Sequence, residues 1–413
     1  MARGKKTRIL VITPTYPQTV NTSGVPRFIR SLCTALADND YLVDVIAPFY
    51  EGAKTFERFT NISIYRFRYA SPGMHLKSDP ANADSTLKIN KVRRFWQPIF
   101  HFFLQRKIRK LLNTHTYAAI HAHWLTPQGF CVAKVCSALS LNIPIICSAH
   151  GQDLRNPENS SVRSARHLAM KQATLITVNS HAAKESLTSE NRQLANNTDV
   201  LAMGTDLSSL FCRMPYVKRQ KYALLFVGRL LPETGLDVLI RAMPLIQAQA
   251  PEVNLFVVGD GPERHNLTEQ AKEYGCHQNI KFIGALAPPA IALFYNKARM
   301  LIVPNTPVND SSDLIDEENM RQVCVEAMGC KCPVISAKLK PINEIVLENE
   351  TGILFRAGSP EDLAEQVLWM LNHPQETKEL INQAHKHVRA LFDMEKISAD
   401  YVKMVRTLAP GAT

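Results

Sequence analysis

Short apolar runs alternate with longer segments of helical periodicity along almost the whole chain, and this alternation constrains the fold more than any single residue does. In the first half the runs are residues 9–13, 43–47, 62–68, 118–121, 144–149, 175–179 and 200–203. In the second half they are 223–227, 255–258, 281–284, 300–303, 334–336 and 352–355. Helical segments lie between most of them, for example 27–37, 236–249 and 363–371. Strands joined by helices imply parallel sheets covered on both faces. Two successive sets, in a chain of 413 residues, imply two doubly wound, Rossmann-like α/β domains. Ligands of such domains bind at the carboxyl ends of the strands, here expected in a cleft between the two. The polar stretch 213–222 is the expected boundary, giving an N-terminal domain of residues 1–212 and a C-terminal domain of 213–390. In the tail, 391–413, Ile397, Tyr401, Met404 and Val405 have helical spacing.

Composition narrows the setting. No run of about 18 apolar residues occurs, so nothing reads as a membrane span. The basic N-terminus is followed only by Ile9-Leu10-Val11-Ile12, too short for a signal-peptide core and better read as a first buried strand. Nine scattered cysteines, several inside apolar segments (Cys33, Cys131, Cys147), point to a reduced, cytoplasmic protein. Cys330 and Cys332 form a lone C-x-C, and His121 with His123 a lone alternating pair, so neither predicts a metal site. Net charge is +11, which favours an anionic partner. From Ser85 through Gln152 there is no Asp or Glu. Within that span Phe95, Trp96, Phe100, Phe102 and Phe103 sit between basic clusters over residues 93–112. Two readings stand side by side: an interfacial helix on an anionic membrane, or a core helix with solvated Lys and Arg stems. No RNA-binding framework accompanies these aromatics, so nucleic acid is not expected as a partner.

The strongest chemical signal is a pair of glutamates, Glu318 and Glu326, separated by seven residues before and within an apolar helix that ends at a turn and a strand. Two carboxylates near a helix start can accept hydrogen bonds from sugar hydroxyls, while the first turn's N–H groups can hold a phosphate. Upstream lie Leu225-Phe-Val-Gly-Arg229, Gly235, Gly259-Asp-Gly261-Pro262 and Phe282-Ile-Gly284. With the glutamate pair, in this order and spacing, these resemble the donor half of family 4 retaining glycosyltransferases. Ser23-Gly24, His121-Ala-His123-Trp124, His150-Gly151-Gln-Asp153, Asn179-Ser180 and Met203-Gly204-Thr-Asp206 resemble the family's first-half signatures, so the resemblance covers most of the chain.

The resemblance implies a GT-B fold, an acceptor-binding first domain, a nucleotide-sugar donor domain and a last helix packing back on the first. It implies transfer of a sugar from a nucleotide-diphosphate donor to a glycan, lipid-linked or small-molecule acceptor, with retention and with no cofactor or metal. Arg229 would bind the donor diphosphate, Glu326 the ribose hydroxyls and Glu318 the transferred sugar. His150 would line the reacting centre, and Gly24 would let the first loop approach the diphosphate. The Gly259–Gly261 turn would sit by the nucleotide. Departures occur in the same half. Thr234 stands where the family has a Lys, Asn319 and Arg321 replace small or rigid loop residues, and Lys340-Pro341 replaces a Gly-Gly pair. One hypothesis is that Arg321, or Lys340, restores the cation lost at Thr234; the opposing one is that a bulky side chain there fills the phosphate pocket and disables it. The rival classes are a degenerate, non-catalytic relative acting as a binding partner or sensor, and a sugar-nucleotide epimerase on the same scaffold. The expected location is the cytoplasm, with peripheral attachment to the membrane's inner face through 93–112.

Overall fold

A computed structural model describes residues 6–16, 27–69, 90–150, 153, 160–306, 317–340 and 342–409. The chain divides into two compact units, one of residues 1–202 with 397–413, the other of 203–396.

In the first unit the chain forms β1 (Arg8–Ile12), α1 (Arg27–Asp38), β2 (Leu42–Pro48), β3 (Phe56–Phe59), β4 (Ile62–Phe67), α2 (Asn90–Thr114), β5 (Ala119–His123), α3 (Phe130–Ala138), β6 (Ile145–Ser148), α4 (Ser160–Gln172), β7 (Leu175–Val178), α5 (His181–Glu190) and β8 (Thr198–Val200). These strands make one sheet in the order β3-β4-β2-β1-β5-β6-β7-β8, parallel except for the antiparallel β3–β4 hairpin. Successive residues of β5 point to opposite faces, and all five are buried, so both faces of the sheet centre are covered. The hairpin is the strand that periodicity did not reveal. Phe56 and Phe59 lie on this edge and are exposed, so no buried apolar run marks it.

The second unit contains β9 (Ala223–Val227), α6 (Leu236–Gln247), β10 (Asn254–Val258), α7 (Arg264–Glu273), β11 (Ile280–Gly284), α8 (Pro288–Lys297), β12 (Met300–Val303), α9 (Glu317–Gly329), β13 (Val334–Ala337), β14 (Ile353–Phe355), α10 (Pro360–Asn372) and α11 (Pro374–Phe392). Its sheet is wholly parallel, in the order β11-β10-β9-β12-β13-β14. The thirteen expected strands all have counterparts, the run 200–203 being displaced to 198–200.

Strand order reverses beside β1 in the first sheet and beside β9 in the second, so each sheet has a topological switch point. At such a point the connections leave the carboxyl ends of neighbouring strands in opposite directions and open a crevice. His123 ends β5, next to β1, and Arg229 follows β9, next to β12.

The unit boundary falls ten residues before the expected 212/213 division, because Leu207 and Phe211 bury themselves against the end of α9. A side chain at Gly329 would lie 2.5 Å from the Phe211 carbonyl oxygen and 2.6 Å from Leu207 Cδ2, so only glycine allows that packing. The last helix, α12 (Met394–Leu408), carries the chain into the first unit, where the Tyr401 hydroxyl lies 2.7 Å from His121 Nδ1.

Candidate functional site

Arg229 is carried on a loop held by main-chain bonds. Gly228 N–H donates to the Val258 carbonyl at 3.0 Å, and Leu230 N–H to that of Asp260 at 3.1 Å. Gly259 (φ 140°) and Gly261 lie directly under this loop. A Cβ at position 259 would stand 1.8 Å from the Gly228 carbonyl oxygen, and one at 261 would stand 2.4 Å from that of Leu230. The Gly-Asp-Gly turn, expected beside a nucleotide, therefore has a role within the protein itself: it seats the arginine loop. Arg229 is half-buried.

Thr234 lies in the short 3-10 turn Pro232–Thr234, buried, with its hydroxyl donating to the Leu231 carbonyl at 2.7 Å. The Glu233 carbonyl accepts from Thr306 N–H at 3.1 Å and from Asn305 Nδ2 at 3.3 Å, joining this turn to the segment after β12. Thr234 thus closes its own turn and carries no charge.

Glu318, Asn319 and Arg321 were expected on a loop but lie within the first turns of α9. Asn319 and Arg321 are compatible with a helix interior, where glycine or proline would be unfavourable. Glu326 follows two turns later. Its Oε2 accepts from the Tyr295 hydroxyl at 3.1 Å and its Oε1 from Gln322 Nε2 at 3.1 Å. Burial raises its carboxyl to about 7, against the opposing effect of these two donors. Arg321 is buried, with Nη1 3.4 Å from Glu344 Oε2, while Lys340 is exposed.

In the first unit His150 follows β6 and is half-buried. His123 Nδ1 lies 3.4 Å from His150 Nε2, with the rings stacked at 17° and centroids 5.7 Å apart. His121 Nδ1 meets Tyr401, and its Nε2 meets Ser148 Oγ at 2.7 Å, which in turn meets Thr177 Oγ1 at 2.7 Å. Burial depresses all three imidazoles, His150 to about 4 and His121 to about 3. Trp124, between these histidines and the next helix, has φ 81° and ψ 133°, a conformation natural only to glycine. Asp153 braces that turn by accepting Leu125 N–H at 2.6 Å and Thr126 N–H at 3.3 Å, and burial raises its carboxyl to about 7.

Gly24 lies outside the described residues. The structure brings Arg229, Gly259 and Gly261 together, and Glu318, Arg321 and Glu326 along one helix. Tyr295 and the brace at Asp153 escaped the sequence reading, because each acts through an element distant in the chain. Gln322 had a signal, standing four residues before Glu326 on one helix face. Part of α2 packs as the core-helix reading of residues 93–112 expects. Leu104, Ile108 and Leu111 are in the core, and Phe100 packs on Phe67 and Tyr69. Phe102 (60% exposed) and Phe103 (38%) point outward among exposed Arg106, Arg109 and Lys110. Among the described residues no helix is long and apolar enough to cross a membrane.

Comparison with known proteins places the chain in context. The family described as "Glycosyltransferase Family 4" matches residues 22–209, and "Glycosyl transferases group 1" matches residues 215–387. An uncharacterized glycosyltransferase of Methanocaldococcus jannaschii is 27% identical over 70% of this chain and 75% of its own length. Sucrose-phosphate synthase from Thermosynechococcus elongatus has a similar structure, with TM-score 0.71 and 20% identity over 98% of this chain and 99% of that one. Anabaena HepE, solved in complex with UDP, gives TM-score 0.67 and 19% identity over 98% and 100%.

Proposed function

We propose, from the premise that this chain belongs to the family 4 glycosyltransferases of GT-B fold, that it transfers a sugar from a nucleotide-diphosphate sugar to a glycan, lipid-linked or small-molecule acceptor with retention of configuration. The observation that carries the reading is the carboxylate of Glu326, oriented by Tyr295 and Gln322, in the same unit as the seated Arg229 loop. A carboxylate oxygen that accepts one protein donor keeps further lone pairs for ribose hydroxyls. Arg229 offers the forked donor suited to a diphosphate. Glu318 grips the transferred sugar, His150 lines the reacting centre, and Gly24 admits the diphosphate to the first loop. Leaving-group stabilisation then comes from cations and oriented N–H dipoles, with no cofactor or metal. The UDP bound by HepE is a ligand of the same class.

A second reading, a non-catalytic binding protein, draws on two observations: Thr234 turns its hydroxyl inward, and Arg321 shares its charge with Glu344. The two readings separate in one experiment. A panel of nucleotide sugars is screened for thermal stabilisation, and each hit is assayed for transfer and for donor hydrolysis, with the product's anomeric configuration read by proton NMR. Stabilisation with turnover supports the enzyme, and stabilisation without turnover the binding protein. Arg321→Ala adds a finer test. If Arg321 replaces the cation missing at Thr234, nucleoside-diphosphate affinity falls by about tenfold, and Thr234→Lys restores part of it. We also place the protein in the cytoplasm, docking on the inner membrane face through the exposed aromatics and cations of α2.

A further inference from the structure

His123 is fully buried at the carboxyl end of β5 and faces His150, with its Nδ1 3.4 Å from His150 Nε2. Its other nitrogen, Nε2, is buried and meets no hydrogen-bonding group among the described residues. The neighbouring ring of His121, 4.0 Å away between centroids, is committed elsewhere: one nitrogen meets Tyr401 and the other Ser148, each at 2.7 Å. A neutral imidazole has one ring proton and two nitrogens to choose between. On Nε2 of His123 that proton would be an orphaned buried N–H, which folded proteins tolerate less than an unfilled acceptor. On Nδ1 it points at a nitrogen that can accept it.

We propose that His123 is a positioning residue that donates from Nδ1 to His150 Nε2 and so fixes His150 in the tautomer protonated at Nδ1. The choice made by one ring thereby sets the other, since the bond formed at one imidazole nitrogen decides where the remaining proton sits. The backbone of His150 is held separately, its carbonyl accepting Asp153 N–H at 2.9 Å. Burial keeps both rings neutral near pH 7, so the N–H···N bond persists there. His150 then carries its hydrogen-bond donor on Nδ1, a group matched to a sugar hydroxyl oxygen or a phosphate oxygen. This consequence rests on the glycosyl-transfer reading, whereas the tautomer itself rests only on the geometry.

The test is long-range proton–nitrogen NMR of the full chain labelled with 15N-histidine at pH 7. The expected spectrum shows His150 protonated at Nδ1, and a His150 protonated at Nε2 overturns the proposal. Two variants separate positioning from packing. His123→Asn keeps an amide donor near the place of Nδ1, and His123→Phe keeps the ring volume without a donor. His150 should keep its tautomer in the first and acquire Nε2 protonation in the second. An unchanged tautomer in His123→Phe overturns the proposal, and if that variant does not fold, the parent and His123→Asn spectra still decide it. Once a donor sugar nucleotide is found by the thermal screen, kcat should fall about two- to tenfold in His123→Phe and recover in His123→Asn, the effect of one lost hydrogen bond. Donor KM should change little. A shifted tautomer with full kcat refutes the catalytic consequence. The expected tautomer in a parent that transfers no sugar refutes the enzyme reading instead.

Discussion

The seating of Arg229 gives the most discriminating prediction. In Gly261→Ala the new Cβ would stand 2.4 Å from the Leu230 carbonyl oxygen and 2.8 Å from that residue's nitrogen and carbonyl carbon. All are main-chain atoms and cannot rotate aside. Real Cβ contacts do not fall below 3.0 Å, so in a close-packed interior residues 228–230 must retreat by about 0.6 Å or more. Overpacking of this kind destabilises by about 1–3 kcal/mol. A displacement near 1 Å of a positioning group can weaken its function by about a hundredfold, so roughly tenfold weaker nucleoside-diphosphate binding is expected here. Gly275 is the control. It has φ 69° but no atom within 4 Å of where a Cβ would stand, so Gly275→Ala adds strain of about 1 kcal/mol without moving Arg229. Isothermal titration calorimetry with nucleoside diphosphates reads affinity, and urea unfolding reads stability. If folded Gly261→Ala binds as tightly as the parent, or if both variants lose affinity equally, the glycine turn does not seat the phosphate ligand.

Three further outcomes are expected. Glu326→Gln should weaken nucleotide-sugar binding about tenfold or more, the effect of a lost charged hydrogen bond; in the parent, affinity should rise as pH passes upward through about 7, where the carboxylate forms, and a flat calorimetric profile would count against the ribose role. Stability of the first unit should fall as pH drops from 6.5 toward 4. His121, His123 and His150 stay neutral when folded and take up three protons on unfolding, whereas Asp153, raised to about 7, releases one. For these four groups the net uptake reaches about two protons near pH 5, corresponding there to about 2.7 kcal/mol per pH unit and to less near pH 7; urea melts at pH 7, 6 and 5 check it, and His121→Asn should lower the slope by about one proton. Finally, the protein should pellet with anionic liposomes at low salt and release as salt rises, with Arg106, Arg109 and Lys110→Gln weakening it, because surface attraction is screened over about 8–10 Å; equal binding to neutral vesicles would refute an electrostatic role.

Much of this was legible in the chain. Strand–helix alternation gave two parallel sheets because a strand buried on both faces must be a continuous apolar run, a pattern read without knowing its neighbours. The β3 hairpin was missed because an exposed edge strand carries no such run. The glutamate pair stood out by its position before and within an apolar helix, and Arg229 was singled out through the resemblance of its motif to the family's. Their local settings were not legible. Glu318 lies inside α9 and not on the loop before it, a placement decided by main-chain hydrogen bonding.

The sequence by itself determined the fold class, the family and the identity of the charged groups, because these depend on residue type and order. Tertiary structure alone decided which partner each group meets. Thr234 turns into its own loop, Arg321 meets Glu344, Tyr295 aims Glu326, and His123 sets against His150. Hydrogen bonds act over about 3 Å, and residues that close come from β-strands and helices distant in the chain, so protonation and orientation are settled only when the sheets have assembled.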